Sequence, residues 1–202
     1  MKRLLVLISI ISGSLLISCS EKTEVVTIHT EFGDIILILF DETPEHKKNF
    51  LELAEGGFYD GTTFHRVMHG FMIQGGDPNS KDEDITNDGN GGPGYTLAKE
   101  FKANFTHKMG ALAAARQPDN VNPAKASSGS QFYIVENRAG APHLDGDYTV
   151  YGQTISGFEV IEKIGSQPVG FRNRPITNIK MTIEIEKMSK KKIAKLYDYS
   201  FE

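Results

Sequence analysis

The sequence holds no tryptophan and one cysteine, Cys19. A single thiol closes no internal disulfide and builds no cysteine-rich zinc site, so burial alone must hold the fold. An excess of charge is also missing. Against 22 Lys plus Arg stand 26 Asp plus Glu, a formal net charge of −4, which gives no footprint for a nucleic-acid backbone and sets nucleic acid aside as a partner. With 202 residues, 20 of them Gly, the chain has the length of one domain.

Met1-Lys2-Arg3 is a basic start, and the stretch Leu4 to Ser20 is uncharged, rich in Leu, Ile and Val with Ser and Gly between them. It reads as a secretory signal, and it falls short of the roughly 20 predominantly apolar residues that span a bilayer. The run ends Leu16-Ile17-Ser18-Cys19, which resembles the lipobox of bacterial lipoproteins, although Ile17 is bulkier than the usual residue there. The resemblance implies a signal peptide over 1–18, lipidation of Cys19 and a membrane partner held through that N-terminal lipid. Several acyl chains, palmitate among them, anchor stably where a single chain does not. Ser20 in place of Asp points, by resemblance to Gram-negative sorting, to the outer membrane facing the periplasm. An ordinary cleaved signal with a chance cysteine is the competing reading.

After a polar tether over 19–24, Val25 to His29 and Ile35 to Phe40 flank a turn at Glu31-Phe32-Gly33-Asp34, a hairpin signal. Thr43 before Pro44 predicts a helix start, Phe50, Leu51, Leu53 and Ala54 give helical spacing, and Gly56-Gly57 stop it. Short apolar runs follow at Thr63–Val67, Phe71–Gln74, Tyr95–Leu97, Gly110–Ala115, Gln131–Val135 and Thr149–Gly152, separated by Gly-rich turns. Many short strands argue a β-barrel or sandwich. A second short helix over Phe158 to Ile164 and a last strand over Ile179 to Ile185 complete the body. The lysine-dense end, 188–202, reads as a solvated tail or terminal helix.

Gly89-Asn90-Gly91-Gly92-Pro93-Gly94 has G-x-G-x-x-G spacing, but it follows a polar stretch and opens no helix, so it is a loop and no dinucleotide site. His65 and His69 flank an arginine without a third ligand nearby, and no metal or other cofactor is expected.

Three blocks carry the chemistry. The first is Tyr59-Asp60-Gly61-Thr62-Thr63-Phe64-His65-Arg66-Val67-Met68-His69-Gly70-Phe71-Met72-Ile73-Gln74-Gly75-Gly76-Asp77; the second is Ser127-Ser128-Gly129-Ser130-Gln131-Phe132-Tyr133-Ile134; the third is His143-Leu144-Asp145-Gly146-Asp147-Tyr148-Thr149-Val150-Tyr151-Gly152. With Gly110 to Arg116 between the first two, they resemble, in order, the signature of cyclophilin-type peptidyl-prolyl cis-trans isomerases over residues 25–187. The resemblance implies a mainly β fold, a closed eight-stranded antiparallel β-barrel capped by two α-helices. It also implies rotamase activity on proline-containing polypeptides in a groove on the barrel's outer face.

Rotation about an X-Pro amide must break resonance, a barrier of about 18–20 kcal/mol, and no bond is made or cut. In the twisted state the prolyl nitrogen regains its lone pair, so a catalyst should offer a fixed donor to it and an apolar wall around the ring. By resemblance Arg66 is the catalytic donor, and its planar fork stays charged. Phe71, Met72, Tyr133 and Leu144 would form the wall, and Gln74, Ala115, Arg116 and Gln131 would hold the peptide beside His65. Three positions depart from the family: His143 stands where many eukaryotic members carry Trp, Tyr148 replaces a frequent His, and Tyr133 replaces a pocket Phe. These expectations describe a monomeric, lipid-anchored envelope enzyme that assists folding of exported proteins. The competing class is a non-catalytic peptide-binding or chaperone module using the same groove.

Overall fold

The structure, a computed structural model, describes residues 21–201; the expected signal peptide and the expected lipidation at Cys19 lie outside the described residues. The expected hairpin forms from β1 (Lys22–Thr30) and β2 (Gly33–Leu39), with Thr30 paired to Gly33 across the turn. Then come α1 (Pro44–Glu55), β3 (Arg66–Met68), β4 (Met72–Gly75), β5 (Thr96–Leu97), β6 (Ala111–Ala114), β7 (Ser127–Ser128), β8 (Phe132–Val135), β9 (Val150–Ser156), α2 (Phe158–Gly165), β10 (Thr182–Ser189) and α3 (Lys190–Tyr197). Eight strands form one antiparallel sheet in the order β10-β1-β2-β9-β6-β8-β4-β3, while β5 and β7 pair separately. The segments leading into the two edge strands meet: Thr63 bridges Lys180, Phe64 N donates to Ile179 O at 3.0 Å, and Met181 N donates to Thr62 O at 2.9 Å.

Alternation along the strands sorts the side chains. Val67, Ile73, Leu112, Phe132 and Ile134 enter the main core with Phe50, Tyr59 and Phe64, whose rings pack around Phe132 at centroid distances of 5.7, 5.8 and 6.4 Å. Phe50 arrives from α1. Proline opens that helix as expected, but Thr43 does not cap it, since its hydroxyl donates to Phe40 O instead. The cap comes from Glu100, whose carboxylate accepts from Glu45 N (3.2 Å), His46 N (3.0 Å) and His46 Nδ1 (2.6 Å). A carboxylate satisfies free N–H groups and favours the positive end of the helix dipole, and this one pins the loop before β6 to α1.

Among the described residues there are three α-helices, not two. Of the two readings of the lysine-dense end, the terminal helix forms, as α3: the Ser189 side chain caps it by accepting from Lys192 N, and Ile193 is fully buried with Val25, Ile38, Ile155 and Met188. Its amphipathic face explains the difference, because Ile193 offers apolar area that the lysine-rich composition masks. At its start Lys190 N donates to Glu21 O at 3.0 Å.

Candidate active site

The short β3-β4 hairpin brings Arg66 opposite Gln74, and β4 brings Gln74 opposite Tyr133 on β8. Arg66 Nη1 donates to Gln74 Oε1 at 3.1 Å, Gln74 Nε2 donates to Gln131 Oε1 at 3.1 Å, and Gln131 Nε2 donates to Gly89 O and Gly91 O at 3.0 and 2.8 Å. The ends fix the direction of this relay. Guanidinium only donates and backbone carbonyl only accepts, so each amide between them has one orientation that satisfies both neighbours. The carbonyls are themselves held: fully buried Asp77 accepts from Asn79 N, Gly89 N and Gly91 N, and a Cβ on Gly91 would collide with the Asp77 carboxylate. The glycine-rich loop thus wraps a carboxylate, a role its spacing did not disclose.

Arg66 itself is half-buried, with Nη2 3.0 Å from Met68 Sδ and Nη1 4.0 Å from Met72 Sδ, and it makes no ion pair with a carboxylate among the described residues. Burial pulls its pKa down from the ordinary value while the neighbouring Tyr148 acts the other way; an arginine remains charged in either case. Its charge is therefore positioned by neutral partners and not cancelled.

The candidate residues separate into two adjoining groups. His65, Arg66, Gln74, Ala115, Arg116 and Gln131 line a groove of about 1530 Å³. Met72 and Tyr133 belong to a second apolar cluster with Ala111, Ala113, Val135 and Val150, against which Phe71, Ala115, Leu144 and Tyr148 pack. Arg66 stands at the boundary, touching Met72. His143 is exposed and lies against the Phe71 ring at 5.7 Å, covering from outside a ring it does not enclose. His65 is buried at the groove with neither ring nitrogen hydrogen-bonded, and burial lowers its pKa despite the nearby Asp77 and Asp88 charges, so it is neutral near pH 7. His69 points elsewhere, exposed and 3.2 Å from Glu136.

His107, which lies outside the three blocks, links the second block to the third behind the apolar cluster. The Tyr133 hydroxyl meets His107 Nε2 at 2.9 Å, and His107 Nδ1 meets Asp145 Oδ1 at 2.7 Å. Burial lowers the His107 pKa although Asp145 opposes it, and burial holds Tyr133 well above the usual phenol range. The neutral ring therefore keeps its proton on Nδ1 toward Asp145 and accepts the phenol proton at Nε2. Tyr148 packs edge-on against Tyr133 at 5.9 Å, and the Arg116 guanidinium sits 4.5 Å from the Tyr148 ring centre, fixed by donating to Asp147 O and Asp119. His107 was not readable as part of the site from sequence, because only the strand pairing of β6 with β8 brings its neighbourhood to Tyr133.

An antiparallel sheet thus carries an uncancelled, neutrally tethered arginine between a polar groove and an apolar cluster, a fixed cationic donor beside an open concavity. Residues 25–185 match the family described as cyclophilin type peptidyl-prolyl cis-trans isomerase/CLD. The chain is 40% identical over 161 residues to the peptidyl-prolyl cis-trans isomerase CYP18-1 of Arabidopsis thaliana, covering 77% of this chain and 91% of that one. It is 37% identical to peptidyl-prolyl cis-trans isomerase-like 3 of Gallus gallus, over 76% and 90% of the two chains. A crystal structure of a cyclophilin type isomerase from Cryptosporidium parvum superposes with a TM-score of 0.70 at 32% identity, covering 84% of this chain and 99% of that one. A second structure of that protein, in the presence of the dipeptide Ala-Pro, gives 0.68 at 33% identity over 80% and 98%. The chain belongs to the cyclophilin-type peptidyl-prolyl cis-trans isomerase family and is an enzyme of that class.

Proposed function

We propose that Arg66 is the catalytic donor in rotation about X-Pro bonds of polypeptides, with the prolyl ring against Phe71, Met72, Tyr133 and Leu144 and the preceding chain along Gln74, Ala115, Arg116 and Gln131. The observation that carries this reading is the tether of Arg66 through neutral groups, Gln74 Oε1 at 3.1 Å and the two methionine sulfurs. A donor held in place before substrate arrives stabilises the twisted amide without reorganising during the reaction. His65, His143 and Tyr148 complete the peptide's surroundings without proton transfer. The meeting of Thr62–Phe64 with Ile179–Met181 supports closure of the sheet into a barrel, with the site on its outer face.

The biological setting in this reading is the bacterial envelope. A monomer anchored through lipid on Cys19, on the outer membrane facing the periplasm, assists the folding of exported proteins, whose X-Pro isomerisation otherwise takes tens to hundreds of seconds. The uncharged N-terminal run and its Leu16-to-Cys19 ending support this. Among the described residues no helix is long and apolar enough to cross a membrane.

The deciding experiment measures isomerisation of an X-Pro peptide by the domain starting at Glu21 and by its Arg66→Ala form. A fall in kcat/KM of about 10²–10³ is expected, the usual cost of deleting one preorganised donor. Equal activity in both proteins would refute the role of Arg66, and binding without acceleration by the wild type would favour a holding module. Labelling of the full chain with a radioactive fatty acid, abolished by Cys19→Ser, tests the anchor; unchanged labelling in that variant would refute it.

A further inference from the structure

Among the described residues, the large exposed apolar side chains are Ile85, Tyr95, Val121, Val169, Phe171, Ile176 and Leu196, and all but Val169 and Leu196 line the one groove that holds Arg66. Phe171 and Ile176 are the most open, at 84% and 71% exposure. Isolated exposed apolar residues need no explanation, but their concentration around one concavity marks a binding surface.

The rim that carries them is built. Val169 bridges Pro175, Gly170 N donates to Arg174 O at 2.8 Å, and Ile176 N donates to Pro168 O at 2.9 Å, closing a turn whose tip is Phe171-Arg172-Asn173. Arg172 and Asn173 both adopt left-handed backbone (φ 57° and 59°), a conformation that persists in non-glycine residues when the surroundings impose it. Beneath the turn, Arg174 Nε donates to Asp88 Oδ2 in an ion pair with both side chains largely buried, tying this turn to the loop that carries Ile85 and the Gln131-binding carbonyls. The two walls of the groove are thus joined, and their apolar tips, Phe171, Ile176 and Ile85, stay exposed.

Space and charge narrow the occupant. About 1530 Å³ exceeds the roughly 300–1,000 Å³ of a typical small-ligand pocket. The groove's acidic lining residue, Asp88, is spent on Arg174, whereas Arg66 and Arg172 have no carboxylate partner among the described residues. A basic flank on a ligand would find no free carboxylate among the lining residues, and an apolar flank would find Phe171, Ile176, Ile85 and Val121.

We infer that the Phe171–Ile176 turn and the Ile85 and Val121 rim form an extended subsite for apolar side chains several residues from the isomerised proline, so that the enzyme selects extended, unfolded polypeptide with apolar flanks over short or basic-flanked X-Pro sequences. This rests on the isomerase reading of the same groove. An extended strand advances about 3.3 Å per residue, so positions beyond the proline's immediate neighbours reach the rim.

Three twelve-residue peptides with one central Ala-Pro and flanks rich in Leu, Ser or Lys provide the test, with the wild type, the Phe171→Ser/Ile176→Ser double variant and the Phe171→Leu/Ile176→Val pair. The wild type should show kcat/KM about tenfold or more higher for Leu than for Ser flanks, carried by KM, and lowest for Lys flanks. In the serine variant the Leu-to-Ser ratio should fall to about 1, and the apolar pair should restore it. A ratio near 1 in the wild type, or a ratio unmoved in the serine variant, overturns the subsite while leaving the catalytic reading intact. Failure of the wild type to accelerate any of the peptides overturns the catalytic reading and the subsite with it. Concentration-dependent dimers of the wild type, lost in the serine variant and competitive with the Leu peptide, would assign the rim to a second copy of the chain and also overturn the proposal.

Discussion

Strands β4, β6 and β8 present two faces built from alternate residues of the same short sequences, and the faces differ in kind. The inner one, Ile73, Leu112, Ala114, Phe132 and Ile134, is hydrocarbon packed on aromatic rings. The outer one, Met72, Gln74, Ala113, Gln131 and Tyr133, interleaves small or flexible groups with polar atoms that each have a named partner. Volume decides what fits inside, whereas donor and acceptor order decides what works outside. Substitutions on the two faces should therefore fail in different assays.

The largest effect belongs to the inner face. Phe132→Ala removes the ring around which Phe50, Tyr59 and Phe64 gather, and denaturant unfolding should show a loss of about 3–5 kcal/mol. A loss below about 1 kcal/mol would break the distinction between the faces. Next comes the polar support of the outer face. His107→Ala strands the Tyr133 hydroxyl in a buried site and should cost about 1–3 kcal/mol, part of which Tyr133→Phe recovers in the same background; additive losses in the double variant would show that the two groups do not act together.

The smallest effect is on pH. Burial depresses the folded-state pKa of His46, His65 and His107. Below the unfolded value of about 6.5 the unfolded chain thus binds more protons, and stability falls as pH drops. His29, raised chiefly by its hydrogen bond to Asp34, acts in the opposite sense from the surface and softens the slope. A melting temperature that rises from pH 7 to pH 5 would reverse this assignment. Activity should stay flat between about pH 6.5 and 9, since no step moves a proton; a bell-shaped profile would instead implicate a histidine.

Much of this was legible in the residues. The β1-β2 hairpin, α1 behind Pro44 and α2 around Val160, Ile161 and Ile164 follow from local period and turn chemistry, and they stand where those signals put them. Boundaries drifted where pairing, not propensity, sets them: the run Thr63–Val67 yields a strand over Arg66–Met68, and the last strand runs Thr182–Ser189, beyond the expected Ile185. The helix cap from Glu100, the His107–Asp145 support of Tyr133 and the Arg174–Asp88 tie are contacts between distant segments. No local pattern announces them. Likewise no local pattern singles out Phe171 and Ile176, which only the fold brings to the groove.

The pairing of the first strand with the last has a kinetic meaning. Lys22 stands opposite Ser189, and β1 keeps register with β10 through His29 and Thr182. A chain emerging from its N-terminus can form the β1-β2 hairpin early, but the outer edge of β1 waits unpaired until nearly everything else has been delivered. Long-range closure of this kind is slow and leaves an adhesive strand edge in the interim. The sheet of this prolyl isomerase is thus completed only when β10 arrives to cover β1.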